Sequence, residues 1–485
     1  MVDTGNRRLW YTLLFVIGAL TGLRLLMTGH TELIPEEAYY WTYAKHPALS
    51  YFDHPPMIAW AIRAGTMLFG DTELGVRFAN FVAWILSCFL LLATGKTWFS
   101  ERAALAGTLL FAIVPVSVGM GFIVTPDAVF IFFWLLTLFA ISRAVQTQRN
   151  LFWALAGLGF GGAMLSKYYA LVLLPSLLIF LAVSPRHRFW LKKPQPWLAG
   201  VFALAIFSPV IIWNAQHGWA SFAFQSTRTI GQSGNLLKYV GTFWLYQLLT
   251  PTPIGFALLA MAAWRAVKRG WWLGREDNWN FVAAFGLPVF ALFMVASFKT
   301  SVHINWTAPA FVALALGGGA MWVEAFDARR RWWVTGTWAL AVICGVATIL
   351  GHIILATGKP VAYTHAIGWR ELATRVRAAA PVTGGQPFFI GMDKYNIAAE
   401  LGFYLQQPDE CVNGYAFGAH GLGYRYWTDL RQYDGRPAVI VFSGKPPVML
   451  DKYFSKLETP VTLWVDAHGH EWKAIVGYGY RASLD

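Results

Sequence analysis

Between residues 10 and 356 the chain is a succession of apolar runs, each close to the ~20 residues that carry a helix across a bilayer. That pattern leaves few folds open. A segment apolar on all sides needs either a large core or lipid around it, and only 13% of this chain is Asp, Glu, Lys or Arg. Soluble domains carry about twice that share, so there is too little polar surface to cover a water-soluble body. The 56% hydrophobic content also excludes disorder. The sequence therefore predicts a polytopic α-helical membrane protein.

Eleven spans are expected, at about 10–29, 76–98, 103–122, 127–145, 151–165, 168–184, 196–213, 240–263, 279–297, 306–325 and 332–356. Arg7 and Arg8 precede a first run that reads as a retained span and not as a cleavable leader. Only Ser166 and Lys167 separate the fifth and sixth runs, so a re-entrant pair is the other reading there. The net charge of +13 is concentrated in alternate loops, at Lys96/Arg102, Arg143/Arg149, Arg186 to Lys193, Arg265 to Arg275 and Arg329 to Arg331. That alternation is the positive-inside pattern, with the amino terminus cytoplasmic and the carboxyl terminus outside. It accounts for the basic charge without any nucleic acid.

Two long regions are expected outside, a first loop at about 30–75 and a tail at 357–485, with a third, Gln/Ser/Gly-rich segment at about 214–238. In the tail, strand-like runs at Pro387–Gly391, Ala438–Phe442, Val461–Val465 and Trp472–Val476 alternate with helical stretches near 367–379 and 394–406. The chain thus divides into a membrane domain, 1–356, and a small soluble α/β domain, 357–485. Cys88, Cys344 and Cys411 form no spaced pair that would hold a metal or a disulfide framework.

Chemistry is expected in the first loop. Glu32, Glu36, Glu37, Asp53 and His54 fall within 24 residues, among Tyr39, Tyr40, Trp41, Tyr43, Tyr51 and Phe52. Clustered carboxylates raise one another's pKa and serve as acids or bases. Pro35-Glu36-Glu37 is also an ordinary helix start, with acids at the positive end of the dipole. An interfacial helix with solvated acids is the plain alternative. Asp53-His54-Pro55-Pro56 is stiffer, because two prolines fix the backbone after two titratable groups.

Pro35-Glu36-Glu37-Ala38-Tyr39-Tyr40, then Tyr51-Phe52-Asp53-His54-Pro55-Pro56, then Thr125-Pro126-Asp127 and Leu165-Ser166-Lys167-Tyr168 occur in this order. Together they resemble the bacterial protein-mannosyltransferase-like glycosyltransferases (family 39) of the GT-C superfamily, a group that includes the lipid A aminoarabinose transferase. The resemblance implies transfer of a sugar from a polyprenyl-phosphate donor to lipid A, another lipid or a glycan. The reaction would run at the outer face of a bacterial inner membrane, with inversion and an acidic residue as base. It implies catalytic roles for Glu36, Glu37 and Asp127. Tyr39, Tyr40, Asp53, His54 and Lys167 would bind substrate, Lys167 at the donor phosphate. Glu36 is a departure, since it stands where the family has Asp. The extra methylene moves the carboxylate by about 1 Å, enough to matter for proton transfer.

Asp127 after Pro126 is equally a helix N-cap in form. Lys167 at a span end is equally a snorkelling lysine. In Ser297 to Trp306 the resemblance implies that Lys299 and His303 are second-tier contacts to phosphate or sugar; a loop with an interfacial Trp306 is the plain alternative. Asp393-Lys394-Tyr395 and Tyr424-Arg425-Tyr426-Trp427 in the tail are polar and aromatic clusters able to touch a sugar acceptor, or ordinary half-buried positions. Glu37, Asp53 and His54 are acceptable ligands for a divalent metal, though no tight ligand spacing requires one. A transporter or lipid flippase is the competing class. Such proteins tend to show paired repeats and acids buried in mid-span; here no repeat is visible, and the acids gather in a loop and at span ends.

Overall fold

The computed structural model describes residues 4–230, 235–273, 275–357, 368–381, 385–447, 450–465 and 471–482. The first part is helical. Six helices are long and apolar enough to cross a membrane: Gly5–Thr28, Glu73–Trp98, Pro126–Thr147, Pro194–Gln216, Asp277–Ala296 and Ala308–Asp327. A seventh crossing would be the pair Leu236–Leu249 and Thr252–Leu273, bent by 96°. The sequence reads that region as one run, 240–263, and the bend falls at its Thr250-Pro251. Of the remaining expected spans, 332–356 coincides with the helix Arg331–Thr357, and the others coincide with shorter or broken pieces. The run 103–122 is divided at Pro115 into Glu101–Ile113 and Pro115–Met120, because a proline nitrogen donates no helical hydrogen bond. The run 168–184 begins as a 3₁₀ turn, Tyr168–Val172, before Leu173–Val183.

Helix starts follow the local chemistry. Thr72 and Ser100 accept from the amides of Gly75 and Ala103 at the heads of their helices. Pro35, Pro115, Pro126 and Pro194 occupy first-turn positions, where the missing N–H has no partner to lose. The first loop, expected as loop with an interfacial helix, folds into two helices, Pro35–Lys45 and Met57–Phe69.

Residues 388–480 form a six-stranded mixed sheet. The strands are β1 (Phe388–Gly391), β2 (Cys411–Asn413), β3 (Ala438–Ser443), β4 (Phe454–Leu457), β5 (Val461–Val465) and β6 (Glu471–Tyr480). The order is β2-β1-β3-β6-β4, with β5 also on β6. β1 runs parallel to β2 and β3, while β6 is antiparallel to β3, β4 and β5. The parallel pair is what a covered sheet requires, and β1 is buried along its whole length. One face packs on the helices Trp369–Ala378 and Asn396–Leu405; the other is covered by Phe417, Leu430, Tyr433 and Leu450. The expected strands and helices are present, and β2 and β4 are additions too short to show in the sequence. The expected division at 356/357 falls against residues 358–367, outside the described set.

This sheet region sits on the first loop. Tyr395, Ala398, Ala399, Phe403, Leu422 and Tyr424 share one buried cluster with Leu33, Tyr39, Trp41 and Tyr43. The Leu33 amide donates to the Tyr404 hydroxyl at 2.8 Å. Glu32 accepts from the amides of Trp369 and Arg370 at 2.8 and 3.3 Å. A carboxylate at a helix amino terminus is favourable both as acceptor and against the dipole, so Glu32 is a docking group for the tail.

Candidate active site

The Pro35–Lys45 helix carries most of the site. At its head Glu37 reaches back and accepts from the Ile34 amide at 3.1 Å, one half of a capping box, since the Ile34 side chain has no acceptor to complete it. Glu37 has three further bonds. Arg77 donates from Nε to Oε1 at 3.0 Å and from Nη2 to Oε2 at 2.6 Å. The Val124 amide donates to Oε1 at 2.9 Å. Arg77 in turn holds Thr31 through its carbonyl and hydroxyl and Glu32 through its carbonyl. Both partners are buried. A buried charge pair persists only when its remaining valences are also met, and here they are. With these bonds Glu37 is a strut, tying the helix to Val124 just before Thr125-Pro126-Asp127. Sequence reading placed Arg77 inside a span and passed over it. An arginine at the head of an apolar run was the available signal.

Glu36, one residue earlier, faces the other way. Its Oε1 lies 3.4 Å from the Tyr395 hydroxyl, and Lys394 is nearby. Burial pushes its carboxyl above the ordinary range, against the pull of its own amide, Tyr395 and Lys394.

Tyr39 and Tyr43, four residues apart, share a helix face. Both hydroxyls donate to Asp53 Oδ1, that of Tyr39 at 2.9 Å. Tyr39 stacks on Tyr395, ring centres 4.3 Å apart, and its hydroxyl accepts from the Gly423 amide at 3.0 Å. Gly421 turns the chain there at φ +68°, and a Cβ on Gly423 would lie 2.6 Å from the Trp427 ring and 2.9 Å from the Tyr39 hydroxyl. Only glycine brings that amide so close. His54 sets its ring edge-on to Tyr40 at 5.6 Å. The Tyr40 hydroxyl is fully buried and feels the negative charge of Asp53, Glu36 and Asp127 together, which with burial raises its pKa well above the ordinary value.

Asp127 is buried at the head of Pro126–Thr147, but its side chain caps no backbone amide. The N-cap position belongs to Thr125, whose hydroxyl donates to Asp127 Oδ2 at 2.9 Å. Lys167 Nζ donates to Oδ1 at 2.7 Å, and Asn305 Nδ2 to Oδ2 at 2.6 Å. Lys167 stands in extended backbone between two helical segments, and its side chain is buried beside the Tyr169 ring. It points inward to Asp127 and does not snorkel. Asn305 brings the 297–306 segment to this pair. Lys299 and His303 stand exposed on that same segment, His303 against Trp306.

Among the described residues no three His, Cys, Asp or Glu side chains converge as a metal site. Glu37 is committed to Arg77 and Asp53 to two tyrosines, so the ligand set allowed by the sequence is not assembled. Glu400 is a buried acid the sequence did not single out. It is on Asn396–Leu405 with no hydrogen-bond partner among the described residues; burial, then Glu32, Glu37 and Glu36, push it far up.

A model of the dolichyl-phosphate-mannose-protein mannosyltransferase family matches residues 53–213, which include Asp53, His54, Asp127 and Lys167. The lipid A galacturonosyltransferase RgtD of Rhizobium johnstonii is 26% identical over 468 residues, 94% of this chain and 95% of that one. An undecaprenyl phosphate-alpha-4-amino-4-deoxy-L-arabinose arabinosyl transferase of Pseudomonas aeruginosa is 26% identical across 73% of this chain and 67% of its own length. The crystal structure of ArnT from Cupriavidus metallidurans superposes with a TM-score of 0.67 at 17% identity, covering 96% of this chain and 97% of that one. The same protein bound to undecaprenyl phosphate gives 0.67 at 16% identity. Motifs, relatives and fold agree in what the chain is similar to: GT-C membrane glycosyltransferases of the aminoarabinose-transferase-like group.

Proposed function

We propose that this enzyme moves a sugar from an undecaprenyl-phosphate-type carrier to lipid A, at the outer face of the bacterial inner membrane. The relatives' names supply the substrate classes. The observation that carries the site is the buried pair of Lys167 with Asp127, Nζ to Oδ1 at 2.7 Å, together with the helix Pro35–Lys45, which carries Glu36 and binds Asp53 through Tyr39 and Tyr43. An oxygen of the acceptor attacks the anomeric carbon of the donor. The bond from that carbon to the carrier phosphate oxygen breaks, and configuration inverts. The carrier phosphate leaves with the electron pair, and Lys167 compensates its charge as a compact cation. Glu36 takes the proton of an acceptor hydroxyl, or orders an acceptor phosphate through Lys394. Asp127 holds Lys167 and is itself placed by the Glu37–Val124 bond. Tyr39, Tyr40, Asp53 and His54 border the sugar. Lys299 and His303 extend the phosphate-binding surface.

In this reading the chain crosses the membrane eleven times, with the amino terminus cytoplasmic. Residues 357–485 form a periplasmic α/β domain over the catalytic first loop. The alternation of Lys and Arg along the loops supports that orientation. The test is mass spectrometry of lipid A and of polyprenyl carriers from cells with the wild-type gene, without it, and with Glu36→Gln. Loss of one sugar from lipid A with accumulation of the loaded carrier, in both the deletion and the variant, is expected and names the sugar. Unchanged lipid A without accumulated carrier overturns the assignment.

A further inference from the structure

A cavity of about 270 Å³ opens between the first loop and the sheet region. Its walls include His46, Ser50, Phe52, Trp213, Tyr426 and Trp427. Three separate parts of the chain meet there: the 45–52 turn, the end of Pro194–Gln216 and the 422–427 segment. The rings are arranged as faces. His46 lies parallel to Trp427, 5.5 Å between centres and 13° apart, and Tyr426 lies over Phe52 at 5.2 Å and 26° and against Trp213 at 5.4 Å. The rear wall is Tyr51, stacked on Tyr43 at 4.0 Å, and Tyr43 donates to Asp53. The cavity is therefore two rings, Tyr51 and Tyr43, removed from Asp53. The Trp427 indole N–H is buried, with no acceptor among the described residues. A buried donor left unmet is destabilising unless something fills it.

We infer that this cavity is a saccharide subsite for the acceptor, in which one sugar ring stacks on Trp427 and Tyr426 and a ring or hydroxyl oxygen accepts from Trp427 Nε1. Aromatic faces carry negative charge density and attract the polarised C–H face of a sugar, while an isolated N–H reads an oxygen. The volume is at the low end of ligand pockets, which run from roughly 300 Å³, and suits one monosaccharide unit of a larger headgroup. Phosphate chemistry is disfavoured: the one Lys in the wall, Lys45, is paired to Asp71 at 2.5 Å. The inference rests on the acceptor assignment above.

The experiment uses the full chain in detergent or nanodiscs. Steady-state kinetics with lipid A and the loaded carrier are combined with tryptophan fluorescence titration of the water-soluble saccharide obtained by deacylating lipid A. Trp427→Ala and Tyr426→Ala are each expected to raise the acceptor KM about tenfold, with donor KM unchanged. Trp427→Phe, which keeps a ring and loses the N–H, is expected to raise it about threefold. The fluorescence response to the saccharide should vanish in Trp427→Ala. Should that variant fail to fold, Trp427→Phe and Tyr426→Ala decide. An acceptor KM within about twofold of wild type in both, or a rise in donor KM instead, overturns the inference. If wild-type enzyme leaves lipid A untouched, the acceptor assignment itself fails. The cavity is then judged by titration with free glucosamine and galacturonate: binding lost in the Trp427 variants upholds a saccharide site, and no binding overturns it.

Discussion

Glu36 and Glu37 are neighbours on one helical turn and belong to different regions of the molecule. Glu37 is at the centre of a closed knot, with two bonds from Arg77 and one each from the Ile34 and Val124 amides. Glu36 opens on the other side toward Tyr395, Lys394 and, through Tyr40, Asp53 and Asp127. The difference teaches how to sort acids in such a site. A carboxylate whose lone pairs are all spent holds the structure, and one held only by its own amide and a long bond from a tyrosine, with its pKa pushed up, is available for chemistry.

The comparison breaks most visibly at Arg77. Arg77→Ala leaves Glu37 charged and buried without its partner, a loss expected at about 3–5 kcal/mol. Thermal unfolding in detergent should show a large drop in Tm, with activity lost alongside it. A stable Arg77→Ala protein would end the strut reading. Glu36→Gln is the opposite case: kcat should fall by about 10²–10⁴-fold at unchanged Tm, as measured by single-turnover transfer, because the proposed general base is removed and no buried pair is broken.

A third acid tests the same logic on the sheet region. Asp393 is pushed up to about 6 by burial, against the pull of the Ile397 and Asn396 amides. Its folded pKa lies above its ordinary 3.8, so the native state binds the extra proton in that window. Stability is then greatest below the ordinary value and declines as pH rises through about 6, by roughly 2–3 kcal/mol in all. Asp393→Asn should flatten that decline in a series of denaturation curves between pH 4 and 7; an unchanged slope would show that Asp393 does not titrate there.

Smaller still is the effect of Lys394. If Glu36 is the base, activity falls as pH drops through its raised pKa. Lys394→Met removes a charge that lowers that pKa, so the acidic limb of the kcat profile should move to higher pH, by less than about one unit for an interaction across solvent. Movement the other way would exclude Glu36 as the group observed. Arg431→Ala at the exposed pair with Asp429 should change neither Tm nor turnover, and sets the baseline.

Much of this was legible in the residues. Apolar run lengths gave the helical membrane class, and the strand runs at 387–391, 438–442, 461–465 and 472–476 are strands. Local signals of that kind survive because hydropathy and periodicity act within a few residues of each other. The breaks at Pro115 and at Thr250-Pro251 were signalled by proline, yet composition alone could not say whether the chain would bend or stop. Ordered motifs gave the family for the same reason: Glu36, Asp53, Asp127 and Lys167 lie in short stretches whose spacing is fixed by helix starts and stiff turns.

What only the tertiary structure decided is which charge meets which. Arg77 meets Glu37 across 40 positions, Lys167 meets Asp127 across 40, and Asn305 reaches the same Asp127 across 178. Glu36 and Glu37 look alike in sequence; packing sends one into a closed network and leaves the other facing the site. Likewise Trp427 reads as any half-buried aromatic until the tail folds over the first loop and sets it parallel to His46. Electrostatic and stacking partners are chosen by distances through space, and a sequence carries those distances only after the helices have packed.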